Sequence, residues 1–233
     1  MQICNPDMQM ISNLTAFTSI TVSLMVYDQV YSTLLKNKTI SCHQHGFQDK
    51  CSCVTQLLEC LQDWTINFDQ NIQTDIVYLD FAKAFDTVPH QRLLIKLRNC
   101  GIRGRALDWI GAFLTGRRQR VVLRNGVSSW QPVRSGVPQG SILGPLLFII
   151  YINDISRATD NFEVFGYADD TTLYGTLNKF AEITPRGGSL TQSTNNEIEK
   201  ISTWLAVNKL SLNASKTRFC YQHKELIASC RGQ

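Results

Sequence analysis

Phe162-Glu163-Val164-Phe165-Gly166-Tyr167-Ala168-Asp169-Asp170-Thr171-Thr172-Leu173-Tyr174 places two adjacent carboxylates between two runs of aromatic and β-branched residues. That composition predicts two short strands with Asp169-Asp170 at the turn between them. Adjacent carboxylates on a half-buried hairpin repel: unit charges about 4 Å apart cost roughly 4 kcal/mol at an effective dielectric of 20. Either water solvates the pair or a cation sits there. Mg²⁺ fits the second alternative, because it binds through one or two carboxylates plus substrate phosphates. A third carboxylate arriving from elsewhere in the chain would decide between the two.

Working outward, Ile142 to Ile155 is almost entirely apolar and predicts a core helix, fed by the tight loop Ser135-Gly136-Val137-Pro138-Gln139-Gly140-Ser141. Upstream, Gln119–Arg124 and Ser129–Val133 flank Asn125-Gly126, a strong hairpin signal. Ala106 to Leu114 reads as a short helix. So does the stretch carrying Leu93, Leu94 and Leu97, with Pro89 at its start and Gly101 at its stop. Asp75-Ile76-Val77-Tyr78-Leu79-Asp80 holds four consecutive apolar residues closed by an acid, which predicts a central strand buried on both faces. Alternation puts Tyr78 on the same face as Asp80.

Residues 1–70 are less organised. Helical spacing appears at Val26, Val30 and Leu34, and again at Val54, Leu57, Leu58 and Leu61, with Gly46 between. Leu14 to Val26 is threaded with Thr and Ser and falls short of the roughly 20 apolar residues that cross a bilayer, so it reads as a buried helix. Beyond the acidic hairpin, Pro185–Ser189 reads as a loop. Ile198, Ile201 and Leu205 mark an amphipathic helix through Asn208, and the tail from Lys209 to Gln233 carries Lys216 and shows no pattern.

The 233 residues are 43% hydrophobic and 18% charged, the balance of a globular protein. Net charge is +4, but it is unevenly placed: Arg92, Lys96, Arg98, Arg103, Arg105, Arg117, Arg118, Arg120 and Arg124 are opposed over that stretch only by Asp108. Such a bias suits a polyanion. The eight cysteines form no C-x-x-C pair, and Cys42-His43-Gln44-His45 with Cys51-Ser52-Cys53 matches no standard zinc spacing, so free thiols are expected. With no signal peptide or membrane span expected, the chain reads as intracellular, in cytoplasm or nucleus.

Asp80 supplies the third acid. If its strand neighbours the hairpin, three carboxylates share one end of one cleft, as two-metal phosphoryl chemistry requires. Three stretches then carry a resemblance. Asp80-Phe81-Ala82-Lys83-Ala84-Phe85-Asp86-Thr87-Val88 is similar to motif A of reverse transcriptases. Gly136-Val137-Pro138-Gln139-Gly140-Ser141-Ile142-Leu143-Gly144-Pro145 is similar to motif B, and Tyr167-Ala168-Asp169-Asp170 to motif C. Their order and spacing, from about His45 to Thr217, resemble the non-LTR (LINE-type) retrotransposon group.

The resemblance implies an α+β fold. It would be a right-hand polymerase palm, an antiparallel sheet with helices on one face, plus partial fingers and no thumb. Residues 1–70 would be partial fingers, and 71–233 the palm with a fingers-type insertion at about 91–135. It implies an RNA template, a DNA primer, deoxynucleoside triphosphates and two Mg²⁺ ions, with Mn²⁺ as a substitute. Asp80, Asp169, Asp170 and the carbonyl of Phe81 would hold metal. Phe85 would exclude a ribose 2′-hydroxyl, Gln139 and Gly140 would contact the nucleotide, and Lys216 would protonate pyrophosphate. Arg117, Arg118, Arg120 and Arg124 are the candidate nucleic-acid contacts. Asp86 and His90 read instead as helix-start residues, and Asp154 as an end-of-helix carboxylate.

The chain departs from the family pattern in the fingers. Met10-Ile11-Ser12-Asn13-Leu14 stands for an R-P-I-S-L stretch without its Arg, and Gly46-Phe47-Gln48-Asp49-Lys50-Cys51-Ser52 has Gln48 and Cys51 where Arg is usual. The alternative expectation is therefore a catalytically inactive retrotransposon remnant that at most binds nucleic acid.

Overall fold

The computed structural model describes residues 2–4, 13–124, 126–176 and 190–222. In chain order the elements are β1 (Gln2–Cys4), α1 (Asn13–Lys36), α2 (Cys53–Asp69), β2 (Thr74–Leu79), α3 (Ala84–Thr87), α4 (His90–Asn99) and α5 (Gly104–Leu114). There follow β3 (Arg118–Arg120), β4 (Val122–Leu123), β5 (Gly126–Val127), β6 (Gln131–Pro132), α6 (Leu143–Ile152), a 3-10 helix (Asn153–Ala158), β7 (Glu163–Tyr167), β8 (Asp170–Thr176), α7 (Leu190–Val207) and β9 (Arg218–Gln222). They form two compact units, Met1–Ile40 with Lys83–Tyr151 and Ser41–Ala82 with Ile152–Gln233. Pro185–Ser189 and Met10-Ile11-Ser12 lie outside the described residues.

In the first unit, α1 buries one stripe, Val26, Val30 and Leu34, at helical spacing. Ile20, Leu24 and Met25 are exposed. The buried helix expected at Leu14–Val26 is thus buried, among its described side chains, only at its last residue: Ile20, Leu24 and Met25 lie off the stripe, and Val22, which lies on it, is exposed. Helix α4 starts directly after Pro89, which supplies an extended backbone at the cap, and buries Leu93 and Leu97. Helix α5 buries Leu107, Ile110 and Leu114. Helix α6 is core along its length, as its composition predicts. The expected hairpin forms with a shift: Leu123 pairs with Gly126, so Gly126 falls in the strand and the turn lies before it. Asn125 lies outside the described residues. Strand β3 pairs with β6 and, on its other side, with β1, which carries no signal in the sequence.

In the second unit the sheet order is β7-β8-β2-β9, all neighbours antiparallel. Strand β2 is central, as expected from its apolar run. Tyr78, however, is exposed on a strand otherwise buried, so one face opens towards its C-terminal end. Strand β9 pairs with β2 from Thr74↔Gln222 to Tyr78↔Arg218 and gives structure to a tail that reads as patternless.

Helix α2 forms where expected but shows the opposite face. Val54, Leu57, Leu58 and Leu61 are all more than half exposed, and Gln56, Cys60 and Trp64 are buried. The sheet presents Ile76, Phe165 and Tyr174 to it. Trp64 meets the Tyr174 ring edge-on at 6.1 Å, and the Tyr174 hydroxyl donates to Asp63. An indole buries more area than a Leu side chain, and together with the Asp63 contact it sets the rotation of the helix. The adjacent Asp75 points to the other face of the strand, where it accepts from Thr194 of α7 at 2.6 Å.

Candidate active site

Strand register brings the acids together. Leu79 pairs with Thr171, so Asp80, one residue past β2, lies at the same sheet end as Asp169-Asp170. Tyr167 pairs with Asp170, which makes Ala168-Asp169 a two-residue turn. Ala168 has φ +58°, a left-handed conformation that costs a non-glycine residue about 1–3 kcal/mol.

The backbone of Asp80 is held from the chain's C-terminal side. Its carbonyl accepts from the Asn213 amide at 2.7 Å, and Ala82 donates to Ser211 at 2.8 Å. Phe81 is buried and bridges to Leu212. The turn that follows, tied by Lys216 and Thr217 amides to the Asn213 carbonyl, carries an exposed Lys216.

Burial pushes the Asp169 carboxyl above its ordinary value, and the charges of Asp170 and Asp80 push the same way against its own backbone hydrogen bond. Among the described residues, no three His, Cys, Asp or Glu side chains are gathered into a ready-made metal cage. The residues at this sheet end are of the type that Mg²⁺ binds: carboxylates, with Asp80 and Asp169 partly exposed and Asp170 exposed. Cys42, Cys51, Cys53, Cys60, Cys100 and Cys220 are free thiols.

The other predicted residues lie in the first unit. Phe85 stacks on Phe148 with centroids 4.3 Å apart. The loop from Ser135 to Gln139 is laced to the Phe85–Val88 segment. Gly136 donates to Val88 and Val137 to Phe85, each at 2.8 Å, and the Ser135 hydroxyl donates to the Asp86 carbonyl at 2.9 Å. Gly136 has φ +91°, and a Cβ there would lie 2.8 Å from the Cα of Asp86. Only glycine allows this approach. Gln139, exposed, donates to the Asp86 carboxylate at 3.1 Å, while Gly140 is exposed at φ +79°.

Asp86 does fall in the first turn of α3, and its carboxylate serves Gln139. His90 is more than a first-turn residue: it is buried, and its Nε2 lies 2.9 Å from the Gly136 carbonyl. Since a carbonyl only accepts, that nitrogen carries the proton. Burial pushes the imidazole below its ordinary value, with the Arg117 charge acting the same way and the Gly136 bond opposing.

The basic cluster divides. Arg117 is half-buried and donates to the carbonyls of Leu114 and Gly136 at 3.1 and 2.8 Å. Its guanidinium is turned into the fold, and burial lowers its affinity for the proton. Arg120 lies over the Trp130 ring at 4.6 Å. Arg118 and Arg124 are exposed. Lys96 donates to the Tyr151 carbonyl at 2.6 Å.

A profile of the reverse transcriptase (RNA-dependent DNA polymerase) family matches residues 15–227. The chain belongs to the reverse transcriptase family. Its sequence relatives include the probable RNA-directed DNA polymerase from transposon X-element of Drosophila melanogaster, 31% identical over 57% of this chain and 13% of that protein. They also include the RNA-directed DNA polymerase from mobile element jockey of Drosophila funebris, 28% identical over 60% of this chain and 15% of that protein. These are non-LTR retrotransposon enzymes, the group that the motif spacing resembles. The chain spans about a seventh of the length of these two relatives.

Among solved structures, apo telomerase from Candida tropicalis aligns with a TM-score of 0.60 at 12% identity, covering 85% of this chain and 36% of that one. Telomerase from Candida albicans aligns at 0.58 and 14%, covering 84% and 34%. At such identity the likeness is one of fold, and it is the reverse transcriptase α+β fold expected from the motifs. No described helix is long and apolar enough to cross a membrane.

Sequence reading missed Gln44, Gly46 and Glu197. Gln44 accepts from the Gly46 and Ala168 amides at 2.8 and 3.0 Å. Glu197 of α7 is buried and gathers Thr159, the Asp160 amide, Asn161 and Lys200. Neither residue belongs to a chemical motif, and each meets partners far away in sequence. The Gly46 that interrupts the two helical patterns is the one visible signal.

Proposed function

We propose that this chain is the catalytic core of an RNA-directed DNA polymerase, joining deoxynucleotides to a primer 3′-hydroxyl on an RNA template. The observation that carries this is the Leu79↔Thr171 register, which sets Asp80 beside Asp169-Asp170 at one sheet end. Asp80 and Asp169 would hold divalent metal, with Asp170 beside them and the Phe81 carbonyl as a backbone ligand. Two Mg²⁺ ions, or Mn²⁺, held there would supply a lowered pKa at the attacking hydroxyl and charge stabilisation at the leaving pyrophosphate.

The chain's own residues do the rest. The Phe85 ring, fixed by its stack on Phe148, would fill the space of a ribose 2′-hydroxyl. Gln139, oriented by Asp86, and the exposed backbone of Gly140 would contact the nucleotide. Lys216 would give a proton to pyrophosphate. Arg118, Arg120 and Arg124 would hold nucleic-acid phosphates, whereas Arg117 supports the loop at Gly136. Residues 71–233 are read as palm with a fingers-type insertion at about 91–135, and residues 1–70 as partial fingers, in cytoplasm or nucleus.

A second reading has a specific observation behind it. Gln48 stands where the family carries a phosphate-gripping Arg, and its buried Nε2 has no hydrogen-bond partner. On this reading the chain binds nucleic acid without catalysis. Primer extension on an RNA template with Mg²⁺ separates the two. Extension by the parent and none by Asp169→Asn supports the polymerase; no extension by either supports the second reading.

A further inference from the structure

We propose that Gln44 is a positioning residue whose side-chain carbonyl holds the Ala168-Asp169 turn in the shape that presents Asp169. This rests on the reading of Asp169 as a metal-holding carboxylate. A two-residue hairpin needs a left-handed backbone in its turn, and glycine or asparagine usually supplies it. Here the left-handed position is Ala168. Its amide is buried with it and must find an acceptor. The acceptor is Gln44 Oε1, at 3.0 Å.

The clamp is built from both sides. Gln44 is itself buried, and its Oε1 also takes the Gly46 amide at 2.8 Å. The backbone around it adds to strand β7: His45 donates to the Gly166 carbonyl at 2.8 Å, and Gly166 donates to the His43 carbonyl at 2.9 Å. Two glycines make the slot. A Cβ on Gly46 would lie 2.1 Å from the Ala168 nitrogen, and one on Gly166 would lie 2.8 Å from Gln44 Nε2. The segment is anchored away from the turn as well. The Ser41 amide donates to Asn153 Oδ1 at 2.9 Å, and the His45 ring sits 2.9 Å from the Thr55 hydroxyl and 3.2 Å from Glu59. Gln44 is thus a fixed acceptor brought to a strained turn.

Hydrogen exchange of backbone amides, paired with Mn²⁺ titration, tests this. In Gln44→Met, which keeps the length and loses the acceptor, Ala168 should exchange about tenfold faster, the scale of one ordinary hydrogen bond. The amides of Thr74–Leu79 should keep parent rates, and Mn²⁺ affinity should fall by a similar factor. Gln44→Glu keeps the acceptor and should restore protection at Ala168. Unchanged exchange at Ala168, equal acceleration throughout the sheet, or faster exchange with parent-like Mn²⁺ affinity would each overturn the proposal. Should Gln44→Met not fold, Gln44→Asn retracts the amide by one methylene; selective loss at Ala168 supports the clamp and parent-like protection overturns it. Asp169→Asn separates the two claims: parent-like Mn²⁺ affinity in that variant sinks the metal reading, and the exchange result still decides whether Gln44 shapes the turn.

Discussion

His90 and Arg117 donate to one oxygen, the Gly136 carbonyl, at 2.9 and 2.8 Å. A carbonyl has two lone pairs, so both are filled, and the loop that carries Gln139 is fixed at Gly136. Arg117→Ala should therefore lower unfolding free energy by about 1.5–3 kcal/mol, the range for a hydrogen bond to a charged group. Arg118→Ala, at an exposed position, should stay within about 0.5 kcal/mol of the parent. Urea denaturation of the two variants checks the contrast; equal losses would mean that the Arg117 hydrogen bonds do not stabilise.

Nucleic-acid affinity should divide along the same line. Neutralising Arg118, Arg120 and Arg124 should flatten log affinity against log salt by about 0.7–0.9 for each phosphate that no longer meets a cation. Arg117→Gln should leave that slope near the parent value. An unchanged slope in the triple variant would make those cations a solvated surface only.

Glu197 makes stability depend on pH at the acid end. Burial alone would raise its pKa, but hydrogen bonds from Lys200, Thr159, the Asp160 amide and Asn161 outweigh it and hold the carboxyl at about 2. A carboxyl with a folded pKa below its unfolded one stabilises above the unfolded value, about 4.3. That contribution fades as pH falls towards about 2. Its size at neutral pH is on the order of 3 kcal/mol. The stability gap between the parent and Glu197→Gln should thus shrink steadily below about pH 4.3. A gap that stays constant down to the folded pKa would remove this linkage.

Divalent-metal affinity should depend on both strand ends. Asp80→Asn and Asp169→Asn should each weaken Mg²⁺ or Mn²⁺ binding by about tenfold or more, since each removes a charged ligand. Calorimetric titration reads this directly, and parent-like affinity in both variants would rule the site out.

Nucleotide capture should improve when the missing guanidiniums return. Two charge-assisted hydrogen bonds are worth about 3–6 kcal/mol by simple addition, which is roughly two to four decades of affinity. Gln48→Arg with Cys51→Arg should lower the apparent nucleotide KM of any extension activity within that range. Phe85→Ala should admit ribonucleotides, and unchanged sugar selectivity would remove the gate from Phe85.

The acidic constellation was legible because its logic is local. Asp-Asp between strand-like runs, and an acid ending an apolar strand, are visible in short windows. The pairing that unites them needed only the assumption that their strands are neighbours. The face of α2 was not legible. Val54, Leu57, Leu58 and Leu61 have ideal helical spacing, yet Trp64 and Cys60 face the sheet. Periodicity reports that a helix has an apolar stripe, not which stripe its neighbour accepts. Strand β9 was missed because Arg218-Phe219-Cys220-Tyr221-Gln222 is short and largely exposed where described; its strand character comes from pairing with β2. The burial of Arg117 was not foreseeable, because a run of charges does not show which guanidinium finds carbonyls.

Strand β2 gains β8 on one side and β9 on the other, and both lie far downstream in the chain. Synthesis sets a clock on this arrangement. At about 5–20 residues per second, roughly seven to thirty seconds pass between emergence of β2 and completion of β9. Through that interval Ile76, Val77 and Leu79 form an apolar strand with an unsatisfied edge, a template for pairing with another nascent chain. Any transcript interrupted before Arg218 would leave that edge open for good. For a gene of this kind, message integrity and chaperone capture would then govern how much protein accumulates before any question of chemistry arises.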